Sequence, residues 1–219
     1  MVSLARVGSR NDGSVLSGRM RSHDERHATA ALIRSLIKLD ARRLNLGEGY
    51  SSLITYCTRR WIRWVEILYG HPILRGRTNI FGSPADYGKT LFDGGTVWRA
   101  GANVSTRLRT EAALEVGGKR VAPGEYVMLI DLKGPNDWTL ILTSQPYTLT
   151  FDPKNTKEPY GGYNYRPDFD VARVPMATES VPFSVDQLTW VFTDVTPAGG
   201  AVRIAWERAM ASAPFKILE

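Results

Sequence analysis

Apolar positions along this chain change their period once. Between Ala28 and Leu39 they recur three and four residues apart (Ala28, Ala31, Leu32, Ile33, Leu36, Ile37, Leu39), with Arg34, Lys38, Asp40, Arg42 and Arg43 mostly on the other side. That spacing predicts an amphipathic helix. Ser22-His23-Asp24-Glu25 reads as its capping box, the Ser22 hydroxyl accepting from the Glu25 amide while the Glu25 carboxylate reaches back to the Ser22 amide. Gly47 and Gly49 end it. A second helix is expected from Ser51 or Ser52, carrying Leu53, Ile54, Cys57, Trp61 and Ile62 with Arg59, Arg60 and Arg63 interleaved. Helices this short do not bury an apolar stripe alone, so they must dock on something.

From Trp64 onward the period becomes two. Strands are expected at 65–69, 96–99, 104–108, 112–116, 126–132, 138–143, 147–151, 188–194, 202–206 and 215–218. Turn formers separate them: Gly117-Gly118, Pro123-Gly124, Gly134-Pro135-Asn136-Asp137 and Pro197-Ala198-Gly199-Gly200. Many short strands without an intervening helical pattern point to a mainly β protein, an antiparallel β-sandwich preceded by two short N-terminal α-helices. The expected organisation is a disordered basic leader over 1–21, a helical segment over 22–63 and the β-sandwich over 64–219.

Charge sharpens that division. Residues 1–63 carry 12 Lys and Arg against 5 Asp and Glu, whereas 64–219 carry 16 against 17. Any affinity for phosphate backbones therefore belongs to the first segment, through Arg42, Arg43, Arg59, Arg60 and Arg63. The leader holds Arg6, Arg10, Arg19 and Arg21 but no apolar core of signal-peptide length, and no stretch is apolar for long enough to span a membrane. A cytoplasmic location is the expectation. With 43% hydrophobic and 23% charged residues, the composition is that of an ordinary globular chain. The lone Cys57 excludes an internal disulfide and a Cys-rich metal site.

Four stretches in the β region carry a family resemblance. They are Tyr69-Gly70-His71-Pro72 through Leu74-Arg75-Gly76-Arg77; Val97-Trp98-Arg99-Ala100-Gly101-Ala102-Asn103; Ala122-Pro123-Gly124-Glu125-Tyr126; and Ala205-Trp206-Glu207. In this order the chain resembles the bacterial domain-of-unknown-function family numbered 2911 over about 64–219. The chain departs from that pattern with Val104 where an acidic residue is usual, and with a longer segment over 86–95. The resemblance implies an exported protein, at odds with the missing signal. Residues 29–58, including Asp40-Ala41-Arg42-Arg43-Leu44 and Gly47-Glu48-Gly49-Tyr50, resemble the helical leader of HNH-type endonucleases. The nuclease core is absent, because the chain holds only His23, His27 and His71.

No catalytic constellation emerges. His23 and His27 have metal-ligand spacing on a helix but no third ligand in register, so neither metal nor cofactor is expected. Histidine is too scarce to activate Ser105 or Thr106, and no G-x-S-x-G elbow occurs. Acids such as Asp131, Asp137, Asp168 and Asp170 leave room for a carboxylate-dependent hydrolase as the weakest reading. The strongest binding candidate is the loop with Tyr160, Tyr163, Tyr165 and Arg166, whose ring faces and polar edges suit a small molecule, a glycan or a protein. Arg99, Asn103 and Trp138 join it as candidate ligand residues; Arg99 would instead be structural if paired with an acid such as Glu207. The leading expectation is a non-catalytic binding or interaction module, and the alternative is a nucleic-acid-associated protein anchored by its basic helices.

Overall fold

A computed structural model describes residues 2–8, 53–58, 61–92 and 94–218, with the backbone alone for the stretches before Trp64. Period-two alternation dominates what is seen. The strands are β1 (Val2–Gly8), β2 (Leu53–Thr58), β3 (Trp61–Arg63), β4 (Val65–Gly70), β5 (Thr106–Thr110), β6 (Ala113–Val116), β7 (Lys119–Val121), β8 (Gly124–Gly134), β9 (Asp137–Thr143), β10 (Asp170–Pro175), β11 (Ala177–Thr196) and β12 (Gly199–Leu218). They form an eight-stranded sheet, ordered β10-β9-β8-β5-β4-β1-β2-β3, and a four-stranded sheet, ordered β11-β12-β6-β7. Pairing is antiparallel except between β1 and β2. Among the described residues one α-helix, α1 (Lys89–Phe92), lies in the connection from β4 to β5.

The two sheets share one core. The larger supplies Ile67, Met128, Ile130, Leu140 and Leu142; the smaller supplies Leu114, Leu188, Trp190, Phe192 and Ile204. Aromatic rings fill one part of it. Trp98 stacks on Trp206 at 6.1 Å and meets Trp138 edge-on at 6.0 Å, while Phe81 lies 5.2 Å from Trp138.

Strand β12 explains why its sequence looked like two strands. Val202, Ile204 and Trp206 face the core at even positions, whereas Ala211, Ala213 and Phe215 do so at odd ones. The phase slips at Glu207, whose φ of 53° marks a bulge. The Glu207 carboxylate accepts from the amides of Asn79 and Ile80, the latter at 3.1 Å. It thus ties the bulge to the loop after β4.

The Trp98–Asn103 stretch is a packing device. Ala100 and Asn103 have φ of 49° and 63°, and the Ala102 amide donates to the Gly70 carbonyl at 2.9 Å. A Cβ on Gly70 would lie 2.1 Å from the Ala102 oxygen, and one on Gly101 would lie 2.6 Å from Thr106 Oγ1. The Thr106 hydroxyl and Trp190 Nε1 both donate to the Ala100 carbonyl, at 3.1 and 2.9 Å. Glycine at 70 and 101 is what permits this approach.

Several expectations are corrected. Leu53–Thr58 and Trp61–Arg63 are extended where a second helix was expected. Ile54, Thr55, Tyr56 and Thr58 are β-branched or aromatic, which favours a pleated strand over a helix. The first expected helix falls on residues outside those described. Val2–Gly8, placed by sequence in a disordered leader, pairs antiparallel with β4. Residues 96–99 contribute only a bridge from Trp98 to Ile130. Residues 147–151 form a loop, because Thr148 Oγ1 accepts from the Thr150 amide in a local turn and the Thr148 amide donates to Pro159. Strands β7 and β10 and the polar first half of β11 were not expected from sequence.

Candidate functional site

The connection from β9 to β10 lies across the outer face of the larger sheet. Core-facing residues of β8 are Tyr126, Met128, Ile130 and Leu132, so Val127 and Leu129 point the other way. With Val97 and Ile141 they form a separate apolar cluster, against which Tyr147 and Tyr165 pack. The connection supplies the cover this face needs.

Two phenol–carboxylate–guanidinium clamps hold it down. The Tyr147 hydroxyl donates to Glu125 Oε1 at 2.6 Å, and Arg107 Nη1 donates to both the same oxygen at 3.0 Å and the phenol at 2.7 Å. The Arg107 guanidinium also lies 5.0 Å from the Tyr147 ring centre. At the other end the Tyr165 hydroxyl donates to Asp170 Oδ2 at 2.7 Å, and Arg173 donates to Tyr165, Asp170 and Asp131. Burial first, and then the adjoining carboxylates of Glu125 and Asp170, push the Tyr147 and Tyr165 phenols above their ordinary range, Tyr165 the further. Both phenols therefore stay protonated donors.

Between the clamps, Gln145 organises the loop. It is 2% exposed. Its Nε2 donates to the carbonyls of Lys157 and Asn164 at 3.0 and 2.8 Å, and its Oε1 accepts from the Arg166 amide at 2.9 Å. Asn164, at φ 58°, donates to the Asn155 carbonyl at 2.7 Å, and the buried Ser105 hydroxyl donates to Gly161 at 3.1 Å. The loop is built, and its aromatic tip is held out.

That tip is a facet of three rings. Phe151 is 58% exposed and lies 5.6 Å from Tyr160 and 6.2 Å from Tyr163, tilted by 58° and 56°. Leu149 beside it is 56% exposed, and Ile73 is the other exposed large hydrophobic among the described residues. A Tyr160–Tyr163 bridge closes the turn, and Gly161 at its corner has φ 65°. A Cβ on Gly161 would lie 2.6 Å from Arg99 Nη1, so the Arg99 side chain runs against the base of the turn. Arg99 Nη1 donates to the Asn103 carbonyl at 2.8 Å, and the Asn103 side chain is exposed.

The expected site residues are thus divided by the fold. Arg99, Asn103, Tyr160 and Tyr163 come together around Gly161. Tyr165 belongs to a clamp, and Arg166 sits with its guanidinium 4.6 Å from the Phe169 ring centre. Trp138 is 2% exposed, donates Nε1 to the Tyr87 hydroxyl at 3.2 Å and belongs to the core rather than to a binding surface. Glu207 does not pair with Arg99, because its oxygens are taken by the Asn79 and Ile80 amides. Side chains of Arg42, Arg43, Arg59, Arg60 and Arg63 lie outside the described residues. Asp131 and Asp170 share Arg173 in an ion network, an arrangement that gives the hydrolase reading no support. Sequence reasoning missed Phe151, which it had placed in a strand, and Gln145, which carried no motif.

Among the described residues no group of three His, Cys, Asp or Glu side chains is placed to hold a metal ion, and no helix is long and apolar enough to cross a membrane. No curated protein and no solved structure matches this chain. A family model described as a protein of unknown function, DUF2911, matches residues 58–215, which contain all four stretches noted above. The clamps, the glycine-dependent Trp98–Asn103 turn and the Glu207 bulge therefore lie in a chain that belongs to the DUF2911 family.

Proposed function

We propose that this chain is a non-catalytic binding or interaction module, an antiparallel sandwich whose recognition surface is the facet of Phe151, Tyr160 and Tyr163 with Arg99 and Asn103 at its base. One observation carries the reading: Phe151 stays 58% exposed on a loop fixed by the hydrogen bonds of the buried Gln145. Burying a phenylalanine side chain is worth about 1.5–3 kcal/mol, so a mobile loop would fold it inward. A fixed one keeps it available, and the ordering cost of binding is met in advance. Thermal unfolding of the full chain against sugars, peptides, nucleotides and metal ions tests this. A ligand at a hundred times its dissociation constant adds about 2.7 kcal/mol to stability. The expected result is an upward shift that Phe151→Ala removes; a shift indifferent to Phe151→Ala, or none with any probe, overturns the reading.

The charge excess of residues 1–63 supports a second reading, contact with nucleic acid through Arg42, Arg43, Arg59, Arg60 and Arg63. Truncation is a poor test, because β1 pairs with β4 and its loss would open the larger sheet. The quadruple change Arg42→Glu, Arg43→Glu, Arg59→Glu and Arg60→Glu is preferable. It should abolish a duplex-DNA affinity that falls steeply with salt; absent or salt-independent binding by the unaltered chain ends this reading.

A further inference from the structure

We infer that the facet takes a neutral pyranose sugar, stacked by its C–H face on Phe151 and hydrogen-bonded at its rim by Asn103 and the Tyr160 hydroxyl. This rests on the proposal that the facet is the recognition surface, and it adds the chemical class of ligand.

Ring geometry narrows the choice first. Centroid separations of 5.6 and 6.2 Å mean that Tyr160 and Tyr163 lean directly on Phe151. No space remains between the rings for a methylated ammonium, which an aromatic cage must surround. The exposed surface is a small facet rather than a groove, so an amphipathic helix finds no trough to lie in.

Polarity narrows it next. Tyr160 presents a phenol and Asn103 an exposed amide, neither side chain making a hydrogen bond among the described residues. Asn103 is held at φ 63° by the packing of its turn, and Arg99 fastens its carbonyl, so the amide projects from a fixed backbone. An amide and a phenol offer both donors and acceptors in neutral form. A pyranose asks for that combination: an apolar ring face for the aromatic, and hydroxyls for neutral edges.

Charge separates a sugar from a nucleobase, which would also stack on Phe151. Strand binding adds a cationic groove that tracks phosphates. Residues 64–219 carry 16 Lys and Arg against 17 Asp and Glu, and Arg99 is already turned to the Asn103 carbonyl. The facet therefore lacks the cationic setting of a strand-binding site.

Isothermal titration of the full chain with cellohexaose, xylohexaose, mannohexaose and chitohexaose tests this, beside an oligothymidylate and an aromatic-rich peptide. Saturable binding of at least one sugar is expected, unchanged by added salt. Phe151→Ala should weaken it about tenfold, the size of a lost aromatic contact. Asn103→Gly, which keeps the left-handed backbone while deleting the amide, should weaken it about threefold or more. Sugar binding that survives both changes, or no sugar binding at all, overturns the inference. If the oligothymidylate or the peptide binds and depends on Phe151, the facet remains the recognition surface and the sugar assignment alone falls.

Discussion

Gly70 shows how little freedom a single position has when two backbones meet. Its missing Cβ leaves room for the Ala102 carbonyl, at a point where a Cβ would stand 2.1 Å from that oxygen. Gly70→Ala should therefore destabilise the chain by about 1–3 kcal/mol or more through forced backbone shifts, read as a lower urea midpoint. Tyr165 makes a prediction of another kind. Its phenol titrates from 10.0 in the unfolded chain and higher in the folded one, raised by burial and then by Asp170. A group whose folded pKa is raised contributes fully below the unfolded value and loses that contribution as pH rises through the folded one. The stability advantage of the unaltered chain over Tyr165→Phe should accordingly be constant at neutral pH and shrink above about pH 10, measured by thermal unfolding across alkaline buffers.

The β9–β10 connection is the element on which the recognition facet and its sugar assignment depend. Its stiffness comes from a side chain rather than from regular pairing: Gln145 bonds backbone at Lys157, Asn164 and Arg166. Gln145→Ala would strand two carbonyls and an amide, each worth about 1–3 kcal/mol if left buried and unpaired. The expected signature is local, with faster amide exchange over residues 155–166 and little change in β8 and β9. Uniform protection in the variant would show that the clamps alone order the loop. Strand β12 teaches the complementary lesson. Its alternation is intact on both sides of Glu207, and a single residue at φ 53° is enough to exchange the faces.

At the scale of the whole molecule, the three clustered tryptophans mark the core and Phe151 marks the surface. Trp98, Trp138 and Trp206 are 2%, 2% and 4% exposed and lie in one aromatic cluster with Phe81. Trp138→Ala should cost about 3–5 kcal/mol, the usual penalty for emptying a large core site. Phe151→Ala should stay within about 0.5 kcal/mol of the unaltered chain, as exposed substitutions do. Chemical denaturation of the two variants side by side checks the division. A large loss in Phe151→Ala would mean that the facet is packing rather than a recognition surface.

Apolar runs bounded by turn formers made the β class and the centres of β4, β5, β6, β8 and β9 legible; β5 alternates as a strand with one buried face must, whereas β8 and β9 are apolar on both faces because the β9–β10 connection covers the outer one. Glycine and proline marked several of the turns for equally local reasons. Sequence also singled out Arg99, Asn103, Tyr160 and Tyr163, by the kind of side chain they carry. What it did not contain was which face meets what. The residues 147–151 alternate like a strand, yet Leu149 and Phe151 face solvent because Tyr147 is clamped to Glu125 and Arg107 across the chain. Trp138 was expected among the ligand residues and is buried, since Phe81 and Trp98 pack against its ring. Gln145 was silent, because its partners lie 12 to 21 residues away and satisfy it only once the loop has closed. Periodicity is a property of neighbours along the chain, whereas exposure and hydrogen-bond pairing belong to neighbours in space, and only the packed sheets decide those.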